Sequence, residues 1–382
     1  MQHSDYTITN EAALRQHIPA YNRLLDKRIQ PQLDVLALEF IEHAHFALLY
    51  CLPDDGSGQG QLPGFYCINK ADWRVDHKQQ ITLTQAREQR LPKRKRYTHG
   101  SACLLMLIPG VDHLLRINGR FSAPSEGELV VTITQVYLHC GRAAQRARLW
   151  PTKATAKQPL QRHDLRPFIA ASQYLLLSSR NPDGTTLMSP RGENPGQFRL
   201  LSLPETSQSE RLQPDIPQPD TPQPDTPQPD TTQPAALRQP SDIQLLGAQL
   251  LIPDRPGNKI AASLRNLLAN PTLDVVLMIP GCPHVLQLHG QAQISCDPEI
   301  LAHTKTEGKT AKLAIVMTIQ RYQLQYWAPL AEPHNGKRHP SADSLTPFAK
   351  ALATHMNGDR LLGKVTHLLV DRVVKHGEKH LY

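Results

Sequence analysis

The chain has 382 residues, too long for one ordinary domain and suited to two domains of roughly 150 residues each with additional segments. Its net charge of +8 and pI near 9.2 favour an anionic partner, whether nucleic acid, an anionic membrane face or a phosphorylated cofactor. No stretch reaches about 18 apolar residues, which excludes a membrane-spanning helix, and the six cysteines include no CxxC pair, which leaves no zinc or disulfide framework.

Residues 1–31 mix charged, His and Gln residues with short apolar runs and carry no signal-peptide core. They read as an N-terminal helical segment of a cytoplasmic protein with reduced thiols. A first block follows at 32–152. In FIEHAHFALLYCLPDDG at 40–56, the apolar run Ala47 to Cys51 closes on a Pro-Asp-Asp-Gly turn, the pattern of a strand and its exit. The basic run at 92–96 has Tyr97 as its one aromatic neighbour in a chain with 5% aromatics. It therefore offers no stacking platform for nucleic acid and reads as a solvated loop. LLMLIPGVDHLLRINGRFS at 104–122 reads as two strands about a Pro-Gly turn, and VTITQVYLHCGRAAQRARLW at 131–150 ends the block.

The block at 160–330 repeats the first. FIAASQYLLLSSRNPDG at 168–184 matches 40–56 at an offset of 128, and VVLMIPGCPHVLQLHGQAQ at 275–293 matches 104–122 at an offset of 171. The latter pair shares Ile108/Ile279, Pro109/Pro280, Gly110/Gly281, His113/His284, Leu115/Leu286 and Gly119/Gly290. The difference between 171 and 128 gives the second copy 43 residues that the first lacks. VLMIP reads as a strand buried on both faces, and LQLHGQAQI alternates apolar with polar like a barrel wall, so each copy is expected to form a small closed or partly closed antiparallel barrel. The repeat QPDIPQPDTPQPDTPQPDTTQP at 213–234 cannot pair in a sheet or bury apolar surface, and is expected as an extended, solvated insertion. Residues 341–382 carry helical periodicity interrupted at Asn357-Gly358 and are expected as a helical C-terminal tail.

Two motifs of the second copy carry the chemistry: GTTLMSPRGENPGQF at 184–198 and LLIPDRPGNKIAASLRNLLANP at 250–271. Asp254-Arg255-Pro256-Gly257-Asn258-Lys259 sets an Arg, a Lys and unpaired amides where a strand gives way to an expected helix, Ile260 to Ala269. This is how a chain holds a dianionic phosphate. Gly257 lets the backbone approach closely, Asn258 is placed to cap, and Ser189, Arg191 and Gly192 add a hydroxyl and a forked donor. The pattern resembles the FMN-binding split β-barrels of the pyridoxamine 5'-phosphate oxidase type, over most of 165–295 and, through 139–150, the end of the first copy. The resemblance implies a mainly β fold with helices (α+β): two split β-barrels forming an intramolecular pseudo-dimer, plus the helical tail.

The first copy has no SPRG and no Gly-Asn-Lys helix start, whereas the second lacks the His-Cys-Gly segment and goes straight to Tyr326-Trp327. Relatives of this type are dimers with the flavin at the interface. One composite FMN site is therefore expected, with Ser189, Arg191, Gly192, Arg255, Gly257, Asn258 and Lys259 from one copy and His139, Arg142, Arg146 and Trp150 from the other. Leu187 and Met188 would lie against the flavin ring, and Cys140 reads as an inert buried thiol. The implied function is an FMN-dependent oxidoreductase acting on a small molecule, with a nicotinamide cofactor as reductant and no catalytic residue or metal identified. The chain would be a pseudo-dimeric monomer or a homodimer, without membrane or nucleic-acid contact. A non-catalytic flavin-binding protein is the alternative, as is a haem-binding or haem-degrading barrel ligated by His113, His139 or His284.

Overall fold

Apolar residues spaced two apart build fifteen strands among the described residues and gather them into two antiparallel sheets. The computed structural model describes all residues except 1–5, 55–63, 85–97, 126, 152–163, 202–244, 332–342, 358–360 and 380. The basic run at 92–96 and the Pro-rich stretch at 213–234 thus lie outside the described residues.

In chain order, the elements up to the end of the first block are β1 (Thr7–Ile8), α1 (Glu11–His17), α2 (Val35–His43), β2 (Phe46–Pro53), β3 (Gly64–Asn69), β4 (Trp73–His77), β5 (Gln80–Thr84), β6 (His99–Leu107), β7 (Leu114–Ser122), β8 (Glu128–His139) and α3 (Arg142–Ala147). The second block holds α4 (Arg166–Ala171), β9 (Tyr174–Arg180), β10 (Thr186–Gly192), β11 (Arg199–Leu201), β12 (Gln249–Asp254), α5 (Ala262–Ala269), β13 (Thr272–Met278), β14 (His284–Ser295), α6 (Pro298–Ala302) and β15 (Leu313–Tyr326). The tail is α7 (Phe348–Asn357) and α8 (Leu361–Lys379), and the expected break at Asn357-Gly358 falls partly outside the described residues.

One sheet runs β3-β2-β6-β7-β8-β5-β4 and the other β10-β9-β13-β14-β15-β12-β11, with β1 added on β14. Counted from its own first paired strand, each sheet has the same order. Both also carry a bulge at the same repeat position, Asn118/Gly119 on β7 and His289/Gly290 on β14. Glycine is required there by space: an added Cβ would lie 2.2 Å from the Thr132 carbonyl oxygen at Gly119 and 1.9 Å from that of Thr318 at Gly290.

Each sheet buries both faces. Ala47, Leu49, Leu104, Leu115 and Ile117 line the first core, and Leu175, Leu177, Val275, Leu286 and Leu288 the second. The alternate residues turn the other way and meet across a seam, where Phe46, Leu48, Tyr50 and Leu105 pack with Tyr174, Leu176, Val276 and Met278. This is why VLMIP reads as apolar without alternation. Three pairs of buried polar groups meet at the seam, as burial favours. The Tyr50 hydroxyl donates to Asp274 Oδ2 at 2.6 Å, His289 Nδ1 lies 2.6 Å from Asp274 Oδ1, and Ser101 Oγ lies 3.0 Å from Thr186 Oγ1.

Residues 6–30 tie the two sheets together. β1 extends the second sheet, and Gln30 exchanges two 2.8 Å backbone bonds with Val136 of β8 in the first. The tail docks on the first core through Leu345 and Ala351, with His355 Nε2 2.7 Å from Asp34 Oδ2 at the N-cap of α2. Among the described residues no helix is long and apolar enough to cross a membrane, and no group of metal-ligating side chains gathers.

Candidate functional site

β10 alternates Ser189 and Arg191 onto one face, and the turn between β12 and α5 brings Asp254 to Ala261 beside them. Together these segments form one side of a cavity of about 830 Å³. That size lies within the roughly 300–1,000 Å³ of small-molecule sites. The other side comes from the first sheet, with Arg116 on β7 and Gln135, Tyr137 and His139 on β8. Arg28, Tyr382 and residues 309–312, with Lys309 and Lys312, are among the other lining residues.

The turn is held in a strained conformation. Lys259 (φ 63°) and Ala261 (φ 55°) are both left-handed, a region that costs residues other than glycine and is sustained only by its surroundings. Arg15 Nη1 donates to the Lys259 carbonyl at 3.2 Å, and Glu11 bridges Arg15 and Arg265 to fix that support. The helix consequently starts at Ala262, not at the expected Ile260, because left-handed Ala261 interrupts the helical path. Asn258 corrects a second expectation: its Oδ1 accepts from the Ile260 amide at 3.0 Å in a local turn and does not cap α5. The amides of α5's first turn are left without a side-chain cap, and Ala261, Ala262 and Ser263 line the cavity. At Gly257 an added Cβ would meet nothing closer than the Arg255 carbonyl oxygen at 4.0 Å, so it is the approach to the turn that Gly257 keeps open.

Ser189 Oγ accepts from Ser263 Oγ at 2.8 Å, which leaves the Ser189 proton for the cavity. Arg191 makes two long 3.4 Å contacts, from Nη2 to Asp254 and from Nη1 to the Pro190 carbonyl, and its buried Nε meets no acceptor among the described residues. Burial pushes the Asp254 carboxyl above its ordinary range, against the pull of the Arg191, Arg146 and Arg255 charges. Burial likewise drives His139 well below the usual imidazole value, helped by the charges of Arg116, Arg28 and Arg191, so it stands neutral.

Several expected ligands have other work. Arg255 touches the cavity, but its Nε and Nη2 bind Glu193 at 2.8 and 3.0 Å, and Nη2 also meets Gln197 and the Thr304 carbonyl. It holds the turn from behind. Trp150 faces away, donating to the Val111 carbonyl at 2.9 Å with its ring edge-on to Phe46. Arg142 and Gly192 are not among the lining residues. Gly192 instead allows contact between β10 and α3, since a Cβ there would sit 1.7 Å from the Ala143 carbonyl oxygen. Arg146 joins the two sides from outside the lining, donating to the Pro256 carbonyl at 2.8 Å and to that of Leu381 at 2.5 Å. Burial and Arg142 lower its pKa to about 10. Leu187 lines the cavity, whereas Met188 turns into the seam.

Sequence reasoning missed Arg28, Arg116, Tyr137 and Tyr382. Arg116 had a signal, a charge inside the apolar run LLRIN; the others depend on contacts between distant segments. Of the three histidines considered as haem ligands, only His139 lines the cavity. His113 packs against Phe40 and Phe348, and His284 against Tyr326.

No protein-family model and no curated protein matches this sequence. Among solved structures, the chain is similar to HupZ of Group A Streptococcus, with 8% identity and a TM-score of 0.25, over 42% of this chain and 91% of that one. It is also similar to an F420 reductase, with 14% identity and a TM-score of 0.21, over 41% of this chain and 92% of that one.

Proposed function

We propose that this chain is a tandem split-barrel flavoprotein, an FMN-dependent oxidoreductase that acts on a small molecule at one composite site between its two copies. The reading rests on one observation: a single cavity has the Ser189/Arg191 strand and the Gly257-Asn258-Lys259 turn on one side, and Tyr137 and His139 of the other sheet facing them.

The residues present fit a phosphorylated cofactor. Arg191 has an unused buried donor, Ser189 a spare proton and α5 an uncapped N-terminus, all in a lining with seven Lys and Arg against two Asp. Ser189, Arg191, Lys259 and the amides from Gly257 onward would hold the phosphate, with Leu187 and Tyr137 flanking the ring. Bound FMN supplies hydride transfer. The chain's own task is to fix the phosphate, exclude water with Tyr382 and the 17–29 segment, and keep His139 uncharged.

Among the described residues, the repeat-related position lacks the strand donors. In the matching registers Gln287 stands for Arg116, Tyr66 for Ser189 and Ile68 for Arg191. Gln287 Nε2 donates to the Phe65 carbonyl at 2.9 Å, and Trp327 is buried at the seam. This supports the reading of one site per chain, in a pseudo-dimeric monomer or a homodimer. A nicotinamide cofactor is the proposed reductant.

The absorbance spectrum of the purified chain, before and after incubation with FMN, tests the reading. A bound flavin that is reduced by NADH or NADPH and reoxidised by an added acceptor supports the oxidoreductase. A flavin that is never reduced makes the chain a passive binder, and a Soret band, or no flavin uptake, overturns the proposal.

A further inference from the structure

The wall facing the turn carries two arginines for which a flavin phosphate has no use. Arg116 lies mid-β7 and is 2% exposed, and its Nη1 donates to the Tyr137 hydroxyl at 2.5 Å. Its Nε and Nη2 are buried without an acceptor among the described residues, and so is Nε of Arg28. A guanidinium removed from water needs acceptors for its remaining donors, and leaving them unmet costs free energy. The guanidinium carbons lie 4.9 Å (Arg28) and 5.2 Å (Arg116) from the Tyr137 ring centroid, so one phenol ring positions both. The Gln30 to Val136 bridge pins the segment that carries Arg28, and both side chains line the cavity. Asp26 lines it too; its two carboxylate oxygens share the Tyr21 hydroxyl at 3.1 Å, and its charge partly offsets that of Arg28 without accepting its Nε–H.

We propose that Arg28 and Arg116 form a second anion subsite that takes the carboxylate or phosphoryl group of the substrate, which makes that substrate a small oxyanion. The subsite's redox role rests on the FMN reading; its capture of an anion does not. The depressed proton affinity of His139 agrees, since the unneutralised charges of both arginines contribute to it. A paired fork of this kind binds planar and tetrahedral oxyanions alike.

The test is titration of the FMN-loaded chain with benzoate, phenyl phosphate and benzyl alcohol, read by calorimetry and by perturbation of the flavin spectrum. The wild-type chain is expected to bind at least one anion and not the alcohol, and the preferred anion tells carboxylate from phosphoryl. Arg28→Gln and Arg116→Gln are each expected to weaken that anion at least tenfold while FMN content stays within twofold of wild type. The proposal is overturned if neither anion binds, if both variants bind like wild type, or if folded variants lose FMN instead, which would assign the arginines to the cofactor. Arg28→Gln, on a half-buried segment, keeps the test open should Arg116→Gln fail to fold. If the wild-type chain takes up no FMN, the cofactor reading fails alone, and calorimetry on the flavin-free chain still measures the subsite.

Discussion

Arg191 and Arg255 line the same cavity and differ in what already engages them. Arg191 has a long contact to Asp254 and an unused Nε, whereas Arg255 spends its Nε and Nη2 on Glu193, Gln197 and Thr304. A charge-assisted bond to phosphate is worth about 1.5–3 kcal/mol, so Arg191→Ala and Lys259→Ala should each raise the FMN dissociation constant by roughly 10- to 100-fold. Fluorescence titration of the flavin measures this, and unchanged affinity in both variants removes the phosphate cradle. His139 gives a second prediction. Its folded proton affinity lies well below the ordinary value near 6.5, so folding expels a proton. The stability it contributes is therefore intact above about pH 6.5 and is lost as pH falls from there towards the depressed value, by up to about 1.4 kcal/mol per pH unit. His139→Gln should flatten the acid side of a melting-temperature profile between pH 7.5 and 5. Ser189, Arg191 and Lys259 were legible in the sequence because short motifs carry their geometry. Arg255 was misread because its partner Glu193 lies 62 residues away, and no local pattern reveals that pairing.

The elements were legible wherever alternation or a turn signal is local. Ala47 to Cys51 falls inside β2. The start of α5 was not legible, because left-handed Lys259 and Ala261 are sustained by Arg15 from a distant helix and not by local preference. The paired bulges provide the test at this scale. A methyl group at Gly119 or Gly290 would meet a main-chain carbonyl of the neighbouring strand, which cannot rotate aside as a side chain does. Gly119→Ala and Gly290→Ala should each destabilise the chain by roughly 1–3 kcal/mol, as overpacking does, and urea unfolding measures it. Equal losses at the two positions would mean that both strands need the same local twist. A neutral substitution at either would show that its strand can shift to admit the methyl.

At the scale of the molecule, the internal repeat led to the expectation of two related copies, and the two sheets share one strand order. What the repeat did not announce is how the seam is used. Residues 6–30 cross it, Arg146 reaches the Pro256 carbonyl from α3, and Gln287, Tyr66 and Ile68 stand where a second site would need donors. These asymmetries involve pairs far apart in sequence, which no motif records. They lead to a stoichiometric expectation: a saturated chain should hold one FMN, counted from the ratio of flavin to protein absorbance after gel filtration. Two FMN per chain would mean that the Gln287 side binds phosphate without counterparts of Ser189 and Arg191, against the argument on which the site rests. Removing 213–234 should leave that ratio at one, because a sequence with so many prolines and so few apolar residues is poorly suited to ladder bonds or apolar burial. Loss of flavin from the deletion variant, with its melting temperature unchanged, would instead make the Pro-rich stretch part of the cavity wall.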